Sequence, residues 1–104
     1  MTNKRLEQIN KRIERIKAEL TAIEDMRPGS LTRQYKDPES QTGAYYQLSY
    51  TREMKSRTEY VPRQCLRELR REISTYRRFK VLISEWTTLG IEHSRLKMKL
   101  MRRP

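Results

Sequence analysis

Six arginines near the start of the last helical segment are the residues best placed to do chemistry. Arg63, Arg67, Arg70, Arg71, Arg77 and Arg78 fall on one side of a helix turning about 100° per residue, while Leu66, Leu69, Ile73, Tyr76 and Ile83 fall on the other. Guanidinium groups on such a face are permanently charged and fork-shaped, suited to gripping the phosphates of a polyanion. Arg63 to Arg78 spans about 22 Å along a helix, several phosphate spacings on one strand of DNA. From residue 63 onward twelve Lys/Arg face four Glu, so +8 of the formal +11 lies there. The plainer reading is a solvated face that keeps a coiled coil soluble. The stripe's length and its near absence of acids favour nucleic acid.

A second group lies in the middle of the chain. Tyr45, Tyr46, Tyr50 and Tyr60 combine aromatic faces with Arg52, Lys55 and Arg57. A two-stranded ribbon can enter a major groove, and tyrosines can stack on unpaired bases. Packing against the helices is the expectation for Tyr46, Leu48 and Val61, and contact with nucleic acid for the three cations. Catalysis has no comparable support. His93 is alone on a helical seam, and Cys65 has no histidine or acid in view to make it a nucleophile. There is no phosphate-cradling glycine loop, catalytic triad or metal-ligand spacing, so neither an enzyme nor a cofactor is expected.

The elements that must position these groups follow from periodicity. Leu6, Ile9, Ile13, Ile16, Leu20 and Ile23 alternate steps of three and four, a narrow heptad seam predicting a helix over 4–26. Thr2 or Asn3 would cap it, and Pro28-Gly29 would stop it. Residues 27–43 contain two prolines and two glycines and read as a loop. Residues 44–62, rich in Tyr, Thr and Val, read as a β-hairpin turning within Arg52–Ser56. A long basic helix is predicted over 63–102, its seam running through Leu66, Leu69, Ile73, Tyr76, Phe79, Ile83, Trp86, Leu89, His93, Leu96 and Leu100. Thr87-Thr88-Leu89-Gly90 is its weak point, where a kink or break is expected.

The expected fold is therefore mostly α: one domain over 1–104, an antiparallel helical hairpin or coiled coil with an inserted β-hairpin, in the order α-β-β-α. At 104 residues, 35% hydrophobic and 36% charged, such a chain has a small core. A homodimer or higher oligomer built through helices is expected to cover what one copy leaves open. No apolar run reaches the roughly 18–20 residues of a membrane span. One cysteine permits no internal disulfide, and a cytoplasmic, nucleoid-associated location is expected.

The stretch Arg27-Pro28-Gly29-Ser30-Leu31, Tyr35, Gly43-Ala44-Tyr45-Tyr46-Gln47-Leu48-Ser49-Tyr50-Thr51, Lys55, Arg57 and Tyr60-Val61-Pro62, followed by Tyr76-Arg77-Arg78-Phe79, resembles a family of small prokaryotic proteins of unknown function associated with mobile elements. The resemblance implies an architecture and, through that association, DNA rather than RNA as the ligand. Family members often carry a short cysteine cluster followed by His-Gly-Pro-Tyr. Here residues 36–45 contain neither Cys nor His, so no metal role carries over. The alternative function is an adaptor that docks on a larger protein or nucleoprotein assembly through its coiled coil, with the hairpin as a docking edge.

Overall fold

Three ion pairs stepped by one heptad set the register of the two helices. Arg5 donates to Glu92 at 2.6 and 2.8 Å, Arg12 to Glu85 at 2.7 Å, and Arg78 to Glu19 at 2.7 Å. Each step is seven residues up the first helix and seven down the second, the signature of an antiparallel coiled coil. The computed structural model describes residues 2–102. Its elements are α1 (Thr2–Thr21), β1 (Ser30–Asp37), β2 (Thr42–Arg52), β3 (Lys55–Val61), a 3₁₀ turn (Arg63–Cys65) and α2 (Leu66–Met101). These contribute to two compact units: residues up to 23 together with those from 78 on, and Glu24–Arg77.

In the helical unit Ile9, Ile16 and Leu82 are wholly buried. Leu82, not Ile83, occupies the seam, and Ile83 is 38% exposed. The heptad explains the correction, because Phe79, Leu82, Trp86, Leu89, His93, Leu96 and Leu100 keep strict steps of three and four, whereas a step from 79 to 83 breaks them. The expected break at Thr87–Gly90 does not occur, and α2 runs through it. The Thr87 hydroxyl donates to the Ile83 carbonyl at 2.8 Å, and Trp86, Leu89 and His93 are half-buried on either side. Packing of one face outweighs a weak local propensity.

The helix predicted over 4–26 is instead Thr2–Thr21. Asn3 lies within it, and the position before Thr2, where a cap would sit, is outside the described residues. At its other end Ala22 N–H is shared between the carbonyls of Ala18 and Glu19, and Ile23 N–H reaches only Leu20, at 3.1 Å. The last turn carries no basic residue and is followed by Glu24 and Asp25, acids that the negative end of a helix disfavours. Arg27 then donates its backbone N–H to the Glu72 carbonyl at 3.1 Å, which requires a chain that has already left the helix.

The sheet unit is a three-stranded antiparallel sheet in the order β1-β2-β3. The β2–β3 hairpin is as expected, while β1 lies where a loop was read. Leu31, Arg33 and Tyr35 share the core-side face and do alternate, but the exposed Arg33 interrupts the apolar pattern, and residues 38–41 form a tight turn rather than part of a longer loop. Asp37 holds that turn by accepting from the Glu39 and Ser40 N–H groups. Between β2 and β3 the turn is only Glu53-Met54, both at positive φ (52° and 66°), the type I′ pattern usually supplied by Asn-Gly. Leu48 and Val61 of the sheet pack with Leu66, Leu69 and Ile73 of α2, flanked by Leu31, Tyr46 and Tyr50. Gly29, at φ 138°, is needed here, since a Cβ would lie 2.5 Å from Leu48 Cδ1.

Two measurements check this architecture. Leu82→Ala should cost about 2–4 kcal/mol in chemical denaturation, whereas Ile83→Ala should stay within about 0.5 kcal/mol. Hydrogen bonds from Arg12 and Arg5 hold the Glu85 and Glu92 carboxyls below the usual carboxylate value of 4.5, against a smaller opposing effect of desolvation. A depressed folded pKa gives stability that is present above 4.5 and lost as pH falls through the folded value. The melting temperature should therefore fall on acidification below about pH 4.5, and the double variant Glu85→Gln/Glu92→Gln should show a shallower fall.

Candidate nucleic-acid interface

Strand alternation sorts the charges of the sheet unit onto one side. Arg33, Arg52, Lys55 and Arg57 share with Leu48 the face on which α2 packs. The opposite face displays Thr32, Gln34, Tyr45, Gln47, Thr58 and Tyr60, and Lys36 is its one cation among the described residues. Cations are thus gathered on the helix side of the sheet.

Along α2 the arginines lie where the periodicity placed them. Arg67, Arg70, Arg71 and Arg77 are exposed on the helix, and Arg63 is exposed in the 3₁₀ turn before it. None of Arg63, Arg67, Arg71 and Arg77 forms an ion pair among the described residues. The glutamates in the recorded ion pairs (Glu14, Glu19, Glu59, Glu85 and Glu92) hold Lys17, Arg78, Arg27, Arg12 and Arg5 instead. Arg78 therefore departs from the expected stripe: it belongs to the helical unit and is held by Glu19.

The flank of α2 opposite these arginines is different in character. Glu68, Leu69 and Glu72 line a groove with Arg27, Glu59, Tyr60, Val61 and Cys65. Arg27 pairs with Glu59 and lies 5.2 Å from the Tyr50 ring centroid. On the arginine flank, the Arg70 guanidinium sits 5.6 Å from the centroid of Tyr46, whose direct cross-strand neighbour on β1 is Arg33. Arg33 is in turn 5.4 Å from the Tyr35 ring. Sequence reading missed Arg33 because it was placed in a loop. Its signal was the period-two spacing with Leu31 and Tyr35.

At the hairpin tip Arg52 and Lys55 are directly opposite one another, and Arg57 is opposite Tyr50. All three are exposed. Two like charges across a strand pair are unfavourable, and so are two non-glycine residues at positive φ. The tip carries both costs, which a bound anion would offset only in the first case. Among the described residues no cluster of His, Cys, Asp and Glu is arranged to hold a metal ion, and no helix is long and apolar enough to cross a membrane.

A family model, the domain of unknown function DUF6788, matches residues 3–71. The chain belongs to the DUF6788 family. The DUF6788 match takes in α1, the whole sheet, the hairpin tip and the first arginines of α2, Arg63, Arg67, Arg70 and Arg71, and it stops short of Arg77. No curated protein and no solved structure shows significant similarity to the chain.

The like-charge pair at the tip can be tested by itself. Lys55→Glu places an opposite charge across from Arg52 and should stabilise the fold by about 0.2–1 kcal/mol. A thermal melt at low salt would read it as a higher midpoint.

Proposed function

We propose that the protein is a non-enzymatic nucleic-acid-binding protein that grips phosphates with the exposed arginines of α2 and the basic hairpin tip. The observation carrying this reading is that Arg63, Arg67, Arg71 and Arg77 have no carboxylate partner among the described residues, while Glu14, Glu19, Glu59, Glu85 and Glu92 pair with other cations. Holding uncompensated guanidinium groups together costs repulsion, which a phosphate backbone relieves with release of its counterions. Arg52, Lys55 and Arg57 add charge on the same side of the sheet, and Arg33 and Arg70, each beside Tyr46, extend the surface with an aromatic face. DNA is preferred to RNA through the resemblance to mobile-element proteins, with a place in the nucleoid as its consequence.

A second reading has its own observation. The groove between β3 and α2 has an apolar floor of Leu48, Val61 and Leu69 and glutamates at Glu59, Glu68 and Glu72, beside an edge strand that is exposed along most of its length. That combination suits a basic peptide added to β3, as an adaptor would require.

Fluorescence anisotropy with duplex DNA, single-stranded DNA and RNA over a salt titration separates the two. Under the first reading affinity falls steeply with salt, and Arg67→Glu/Arg71→Glu flattens the log–log slope by roughly 2 while leaving the circular dichroism unchanged. A folded wild-type protein that ignores all three ligands at low salt would overturn it in favour of the adaptor.

A further inference from the structure

The outer face of α2 in the helical unit does not follow the chemistry of the rest of the chain. Val81, Ser84, Thr88, Ile91, Arg95 and Met98 recur at steps of three and four, a second heptad stripe distinct from the seam that packs on α1. All six are exposed, with Val81, Ile91 and Met98 at 54%, 49% and 50%. Arg95 is its one charged member in a chain that is 36% charged. Thr87 and Ser94 border it on one side together with Lys80, and Glu85, Glu92 and Lys99 border it on the other.

We propose that this stripe is the contact between two copies of the chain, joined antiparallel through α2 about a two-fold axis near Leu89–Gly90. A second copy is the occupant for two reasons. A protein of net charge +11 repels itself, so two copies approach most easily along a stripe whose six positions hold one charge and whose borders mix both signs. The spacing is also self-complementary. With the axis midway between Thr88 and Ile91, Val81 meets Met98, Ser84 meets Arg95 and Thr88 meets Ile91. Each large side chain then faces a smaller one. The one charge on the stripe, Arg95, then lies opposite the small Ser84. A parallel pairing would instead set Arg95 against Arg95. The stripe is about 26 Å long and one helix wide, small for a protein interface, so the dimer forms in the micromolar range.

The inference is independent of nucleic acid and is tested without it. Sedimentation equilibrium of the full chain from ~10 to ~500 µM should show a monomer–dimer equilibrium. It should tighten with added salt as self-repulsion is screened, the opposite sign to phosphate binding. Ile91→Lys, at an exposed position, should weaken the dimer ~10-fold or more with helicity unchanged. In a Cys65→Ser background, a mixture of Val81→Cys and Met98→Cys chains should form the mixed disulfide on oxidation, and neither variant should do so alone. A monomer throughout the range, a dimer indifferent to Ile91→Lys, or a Val81→Cys chain that crosslinks to itself would each overturn the proposal.

Discussion

Burial of the apolar side chains of α2 is the constraint on which both cores depend. Leu66, Leu69 and Ile73 in its first turns close the sheet, and Leu82 with the seam that follows closes the helical hairpin. Three successive steps of three, from Ile73 through Tyr76 and Phe79 to Leu82, carry the apolar line from one face of the helix to the other. Within each unit, burial of a narrow apolar line fixes the rotation of the helix, and with it the direction of the other side chains α2 carries there. The arginines are exposed because the leucines are not. The flank bearing Glu68 and Glu72 faces β3 for the same reason, and Arg70 on the other flank meets Tyr46.

How much of this was legible depended on whether a signal was local. The α1 seam and the β2–β3 hairpin were readable because their periodicity is regular over many residues. Leu82 was readable too, had the three–four alternation been followed back from Leu100 through Leu89 and Trp86. The turn at Glu53-Met54 was not, because neither residue type announces a positive φ. The end of α1 was only half readable. Glu24 and Asp25 argue against continuing the helix, but the tether of Arg27 to Glu72 is a contact across 45 positions that no local pattern encodes. Strand β1 was hidden by Arg33, an exposed cation on the core-side face that lies against Tyr35 and breaks the apolar alternation.

The candidate interface was more legible in position than in state. Helical spacing located the arginines but could not say which of them would find acids. That outcome is set by the coiled-coil register. The heptad that aligns Arg5 with Glu92 and Arg12 with Glu85 also brings Glu19 to Arg78. Arg78 follows Arg77 directly in sequence, yet one is committed to the helical unit and the other is not.

Charge is therefore partitioned rather than merely abundant. Glutamates in the helical unit are used at its g-type positions, where an antiparallel pair of helices places them opposite arginines. Each glutamate engaged there is unavailable to Arg63, Arg67, Arg71 and Arg77. The chain thus joins its helices by a device that leaves the basic surface of the sheet unit uncompensated, and the Arg52–Lys55 pair at the hairpin tip adds to that surface instead of balancing it. A sequence under pressure for stability alone would place an acid at either position, since an opposite-charge cross-strand pair is the more stable arrangement. The charges that oppose folding are gathered on the helix side of the sheet, where a polyanion would relieve them together.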